Sequence, residues 1–144
     1  MITGSCLCGA ARFEIDGPLT PIQCCHATRC RKATGAAFAP EVAALTSAFK
    51  WVSGADLVAI YEAPLLRTPP PYRRGFCRVC GSPLPVVDPA APFVVLHAGV
   101  LDGDPETRPF RHVFVGTKAP WFEIRDELPQ FAEHVPAEQR LPPR

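Results

Sequence analysis

Cys77-Arg78-Val79-Cys80-Gly81-Ser82 decides how the rest of the chain is read. Two cysteines separated by two residues and followed by glycine have the form of a zinc knuckle. The turn brings both thiolates to one side, and the glycine lets the backbone pass close to a metal. Half of a tetrahedral site needs a second half. Cys6-Leu7-Cys8-Gly9, near the N-terminus, repeats the same Cys-then-Gly ending. The paired spacing predicts one zinc site made by Cys6, Cys8, Cys77 and Cys80, which clamps the N-terminal segment onto the second half of the chain. Four thiolates close the coordination sphere, so the predicted zinc is structural. The competing reading makes the four cysteines small buried hydrophobes. It does not account for two spaced pairs with trailing glycines.

The bulk of the sequence fits around such a clamp. With 144 residues the chain has the length of one domain, enough to bury roughly two-thirds of its unfolded surface. A net charge of +1 gives no basis for a nucleic-acid or acidic-membrane partner, and no apolar run is long enough to span a bilayer. Met1-Ile2-Thr3-Gly4-Ser5-Cys6 lacks the basic and apolar regions of a signal peptide, so the expected address is the cytoplasm. In that reducing setting seven cysteines read as metal ligands or reactive thiols before disulfides. Eighteen prolines spread from end to end argue against long helices and for short strands joined by rigid turns.

Taken in order, Cys6 and Cys8 are read as preceding any regular element. Residues 11–16 alternate apolar and polar as a half-buried strand ending at Gly17-Pro18. A second strand covers 21–26 and leads into a compact basic segment, Ala27 to Lys32, which Gly35 ends. Residues 36–44 form a strand whose Pro40 suggests an edge or a bulge. One helical turn precedes Phe49 and Trp51, which enter the core. Residues 56–62, 93–98 and 109–115 are further strands, and 72–76 and 84–87 carry the chain into and out of the knuckle. Pro69-Pro70-Pro71 sets a loop, and residues 101–105 a turn that Asp102 caps. The expectation is an all-β fold of seven or eight short strands packed around the clamp, with residues 1–125 as the domain. Residues 126–144 are read as a tail rich in Pro and charge, partly disordered.

A second cluster lies in Gln23-Cys24-Cys25-His26-Ala27-Thr28-Arg29-Cys30-Arg31-Lys32-Ala33-Thr34-Gly35. Together with Gly4-Ser5-Cys6-Leu7-Cys8-Gly9, the central knuckle, Gly99-Val100-Leu101-Asp102 and Lys118-Ala119-Pro120-Trp121, it resembles the glutathione-dependent formaldehyde-activating enzyme family, which includes centromere-protein-V-like members. The resemblance runs from about Gly4 to Trp121. It implies a zinc-supported β-tent of short antiparallel sheets, with structural zinc on Cys6, Cys8, Cys77 and Cys80. It also implies a second zinc held by Cys-His-Cys-x-x-Cys. Cys25 and Cys30 match the first and third of those thiols, and Ala27 stands where the middle one belongs.

Three readings of the second site stay open. A three-thiolate zinc keeps a position for a substrate sulfur or carbonyl, and two thiolates alone are too few for a tight site. The pocket is then vestigial, or Cys25 and Cys30 hold a zinc that a substrate thiolate completes, or Cys24, His26 and Cys30 rearrange to replace them. Alternation along an extended segment puts Cys25 and residue 27 on one face and Cys24 on the other, against the third reading. Arg29, Arg31 and Lys32 are a solvated basic turn or a seat for the carboxylates of a glutathione-like substrate. His97 and His112 are read as satisfied strand residues, and Trp121 as core or pocket wall. Two functions follow. One is a carbon–sulfur lyase or synthase acting on a thiol–aldehyde adduct of the glutathione–formaldehyde type, with Cys25 and Cys30 catalytic. The other is a zinc-stabilised binding module that keeps the scaffold only, as the alanine at position 27 suggests.

Overall fold

Short alternating segments become strands wherever one face can be buried. The computed structural model describes residues 1–66 and 70–140. Ten strands form among them: β1 (Ile2–Ser5), β2 (Arg12–Ile15), β3 (Ile22–Cys25), β4 (Ala39–Leu45), β5 (Phe49–Ser53), β6 (Val58–Glu62), β7 (Arg73–Cys77), β8 (Pro83–Leu84), β9 (Phe93–His97) and β10 (Pro109–Val113). One α-helix, α1 (Thr28–Thr34), and a few single 3-10 turns complete the regular structure. The protein is all-β, as its short strands and scattered prolines lead one to expect.

The strands make three small sheets, ordered β1-β2-β5, β10-β3-β4-β9 and β6-β7-β8. Neighbours are antiparallel, with one exception: β10 runs parallel to β3. The main core lies between the sheets. Phe13 and Ile15 on β2 are fully buried there with Val42, Val94, Leu96 and Cys77. The Phe13 ring stacks on Phe49 and meets Trp51 edge-on, so the aromatic pair after the turn at Thr46–Ala48 does reach the core. Phe13 pairs in register with Gly4, and a Cβ at Gly4 would overlap its ring. That close approach explains a glycine inside β1.

Several local expectations are corrected. A strand, β1, precedes Cys6 and Cys8; it is short and only partly buried, so alternation alone did not mark it. Pro40 lies neither on an edge strand nor at a register shift. It sits in the central strand β4, directly opposite Cys24 of β3 and one residue before the pairing with β9 begins at Glu41. Trp121 is 71% exposed and is not part of the core. Asp102 does not act only within its own turn. Its carboxylate accepts a hydrogen bond from the Ser5 hydroxyl, and its amide donates to Thr3, tying the 101–105 turn to β1. The loop set by Pro69-Pro70-Pro71 lies partly outside the described residues, as does the end of the tail.

The chain from Asp126 to Arg140 is in contact with the rest. The Phe131 amide donates to His112, the His112 amide donates to Pro129, and Val135 is buried against Cys25, Cys30 and Val113. This second, smaller core lies on one face of the four-stranded sheet.

Candidate metal centres and the groove beside them

The two knuckles are built alike. At the second, the Gly81 amide donates to the Cys77 carbonyl at 2.8 Å, and Gly81 takes the left-handed conformation at φ +76°. At the first, the Gly9 amide donates to the Cys6 carbonyl at 2.8 Å, with φ +74°. A side chain with a Cβ is disfavoured in that conformation, which accounts for glycine after each pair. The Leu7 amide donates to the Ser82 hydroxyl at 2.9 Å and joins one knuckle to the other.

Cys6, Cys8, Cys77 and Cys80 converge so that their sulfurs all lie within 4.8 Å of one another. Cys6 and Cys8 sulfurs are 3.4 Å apart, and those of Cys8 and Cys77 are 4.0 Å apart. A tetrahedral metal with thiolates at about 2.3 Å requires sulfur–sulfur edges of roughly 3.8 Å. The set is therefore placed to hold a metal ion. Crowding already separates the thiols in acidity. The Ser82 hydroxyl and amide push Cys80 down to about 5. The amide of Ala10 acts in the same sense on Cys8, but the neighbouring thiols outweigh it and drive Cys8 up to about 11.

The second predicted pair also comes together, with an addition. Cys25 ends β3 and Cys30 lies in α1, and the Glu41 carboxylate from β4 joins them, all three buried and with donor atoms within 4.8 Å. Cys30 Sγ lies 3.7 Å from Glu41 Oε1. Ala27, just before α1, offers no side-chain cap, and Gly35, just after it, takes the left-handed conformation and donates its amide to Arg31 at 2.8 Å. Arg31 and Lys32 fill its last turn, where cations complement the helix dipole. Arg29 stacks on Tyr72. Burial, and then the charges of Cys30 and Cys25, push the Tyr72 phenol up to about 12, so it stays protonated near the cluster.

Register explains why Glu41 arrives there. Arg111 of β10, Gln23 of β3, Glu41 of β4 and His97 of β9 pair directly across four strands. Side chains alternate along a strand, so this row shares its face with Cys25, two residues beyond Gln23. Arg111 Nε donates to Gln23 Oε1 at 2.7 Å, and Gln23 Nε2 donates to Glu41 Oε2 at 3.2 Å. Cys24 belongs to the other face, as alternation predicted. It is buried, and burial pushes its thiol up to about 11.

That opposite face carries a relay the sequence reading missed. His26 Nε2 lies 2.8 Å from His112 Nδ1, and His112 Nε2 lies 2.9 Å from an Asp126 carboxylate oxygen. His26 is fully buried between Phe38, Phe122 and His112. Burial, reinforced by His112, pushes it down to about 4, which makes it a neutral imidazole. His112, read as a lone strand histidine, is the middle of this chain. Its only sequence signal was a histidine on an apolar strand, and its partner His26 lies 86 residues away along the chain. Glu41 had a clearer signal: a single charge inside the apolar run Ala39–Leu45.

A groove of about 630 Å³ opens beside the first centre. Ser5, Cys6, Leu7 and Ser82 border it from the clamp, and Thr34, Phe38, Pro40 and His97 from the sheet and helix. Cys25, Cys30 and Glu41 do not line it; His97, which pairs with Glu41, is the residue that links the groove to the row behind the second centre. Burial and Arg74 push His97 down to about 4, and it too is neutral.

Comparison with known proteins identifies the family of the chain. The family model described as glutathione-dependent formaldehyde-activating enzyme matches residues 1–117. A protein of Halomonas elongata carrying the name "Putative glutathione-dependent formaldehyde-activating enzyme" is 35% identical over 128 residues, covering 86% of this chain and 81% of its own. The crystal structure of a Rhodobacter sphaeroides protein superposes with a TM-score of 0.50 at 24% identity, over 70% of this chain and 88% of that one. That likeness bears on the fold alone.

Proposed function

Because the chain belongs to the glutathione-dependent formaldehyde-activating enzyme family, we propose that it acts as a carbon–sulfur lyase or synthase on a thiol–aldehyde adduct of the glutathione–formaldehyde type. Cys25 and Cys30 are the reacting end of its site. A structural zinc sits on Cys6, Cys8, Cys77 and Cys80, within the β-tent arrangement that the family resemblance implies. The observation that carries the reading is the convergence of Cys25 and Cys30, 5 residues apart in the sequence, in a buried cluster. A metal held there would act as a Lewis acid and would favour the thiolate form of a bound thiol.

In the synthetic direction a glutathione sulfur gives its electron pair to the formaldehyde carbon. The carbon–oxygen π pair moves to oxygen, which takes up the proton that the thiol gave up. No oxidant or reductant is needed, and the lyase direction is the reverse. The chain's own contribution is to bind and to exclude water. The groove receives the peptide part of the adduct. Arg29, Arg31 and Lys32 along α1 supply cations for its carboxylates. Neutral His97 borders the groove with a polar group that carries no charge. A reducing compartment, the cytoplasm in this reading, keeps all seven cysteines as thiols.

One observation favours a second reading. Ala27 stands where the family resemblance expects a thiol, which fits a zinc-stabilised module that binds the adduct without turning it over. Carbon-13 exchange spectroscopy on labelled formaldehyde, with and without glutathione, separates the two. An enzyme accelerates glutathione-dependent exchange well above the uncatalysed rate. Exchange at the background rate, with saturable binding of glutathione, would refute the enzyme and leave the module.

A further inference from the structure

We propose that Cys25, Cys30 and Glu41 form a second divalent-metal site in which the Glu41 carboxylate takes the corner that a thiol at position 27 would fill. The inference deepens the function proposed above, since it rests on the same cluster being the reacting end, and names its donor set.

Geometry supports it first. The three donor atoms lie within 4.8 Å of one another, on three buried residues brought from β3, α1 and β4. A sulfur and a carboxylate oxygen on one tetrahedral metal are separated by roughly 3.6 Å, given bonds of about 2.3 and 2.1 Å. Cys30 Sγ and Glu41 Oε1 are 3.7 Å apart. Ala27 precedes α1 and packs against the same small core, where its side chain ends at Cβ.

Charge supports it next. Two thiolates and a carboxylate carry the same three negative charges as three thiolates. Exchange of a thiol at 27 for a carboxylate at 41 therefore preserves the neutralisation that a dication provides. Three acidic groups packed together and buried are costly unless a cation or protons compensate them.

The surroundings of Glu41 have the form of a ligand's support. Glu41 uses Oε2 to accept from Gln23, and Gln23 in turn accepts from buried Arg111. The other oxygen, Oε1, is left on the side of Cys30. Outer partners of this kind fix the orientation of a ligating carboxylate, so Gln23 and Arg111 are positioning residues. Three protein ligands leave a fourth position for a substrate atom, the pattern of catalytic and not structural sites. A carboxylate is a harder donor than a thiolate. The second site should therefore accept Co²⁺ and Fe²⁺ more readily, relative to Zn²⁺, than the four-thiolate clamp does.

The test needs no turnover. The full chain is stripped of metal, titrated with Zn²⁺ or Co²⁺, and weighed by native mass spectrometry. Wild type should take two metals per chain. With cobalt, the thiolate charge-transfer band should have the intensity of six thiolates, four from the clamp and two from Cys25 and Cys30. Glu41→Gln should take one metal with circular dichroism unchanged, and Gln23→Ala should weaken the second metal by roughly 10–100-fold. Ala27→Cys in the Glu41→Gln background restores a third thiolate and should bring the second metal back, even if Glu41→Gln alone folds poorly. One metal in wild type, or two in Glu41→Gln with wild-type affinity, would overturn the proposal. Two metals without glutathione-dependent exchange would support this site while refuting the enzyme. One metal with such exchange would do the reverse.

Discussion

Replacing Cys77 by serine removes one corner of the clamp, and the structure sets the size of the loss. Cys77 is completely buried in the main core, and it reaches Cys8 across 69 residues of chain. Treated as a cross-link that closes a loop of that length, the clamp contributes about 4 kcal/mol through the entropy of the unfolded chain alone. Metal–thiolate bonding adds to this, since structural zinc in small domains is worth on the order of 10 kcal/mol of apparent binding energy. Domains of this kind are typically stable by only about 5–15 kcal/mol. A shift of 1 kcal/mol moves Tm by about 3–5 °C at this length. Cys77→Ser should therefore lose the clamp metal and fall in Tm by at least roughly 12–20 °C, or fail to accumulate as folded protein. A buried serine hydroxyl costs something by itself, on the order of 1–3 kcal/mol if it finds no partner. The comparison that isolates the clamp is Glu41→Gln, which should keep the clamp metal alone, with and without a strong chelator, followed by differential scanning calorimetry. Chelator should lower it by most of the same interval and leave a Cys77→Ser, Glu41→Gln double variant unchanged. A Cys77→Ser protein that keeps its full complement of metal, or a Glu41→Gln protein whose Tm moves by only a degree or two on chelation, would refute the reasoning.

The histidine relay predicts an order of effects. His112→Ala removes the partner of His26 Nε2, whose other ring nitrogen has no partner among the described residues, and opens a cavity. It should cost roughly 2–4 kcal/mol in urea denaturation. Asp126→Asn should cost about 1 kcal/mol or less, because Asp126 is half-exposed and an amide oxygen can still accept from His112; equal costs would contradict the relay. The Arg108 guanidinium, paired to both Asp104 carboxylate oxygens at 2.7 Å, holds that group at about 2, below its ordinary 3.8. The folded protein thus binds this proton less readily than the unfolded chain. The contribution of Asp104 is present above 3.8 and is lost as pH falls towards about 2. Arg108→Gln should return the Asp104 midpoint towards 3.8 by NMR titration, and a wild-type midpoint already there would contradict the pairing.

The convergence of Cys6, Cys8, Cys77 and Cys80 was legible because its information is local. Cys-x-Cys and Cys-x-x-Cys, each with glycine behind it, dictate how two thiolates sit on one turn, and only two such halves exist in the chain. The all-β class was legible for a similar reason: alternation and scattered proline act over a few residues. Alternation also told Cys24 from Cys25. Pro40 was misplaced because proline disfavours a central strand only through its missing N–H, and sequence alone does not say which partner edge that nitrogen faces. Tertiary structure alone decided the rest of the candidate site. Glu41 meets Cys25 and Cys30 because β3 and β4 pair with Gln23 opposite Glu41, and a register one residue away would turn the carboxylate to the other face. His26 meets His112 across 86 residues because β10 runs parallel to β3. Register and strand order are set by the packing of whole sheets, so no short stretch of sequence contains them.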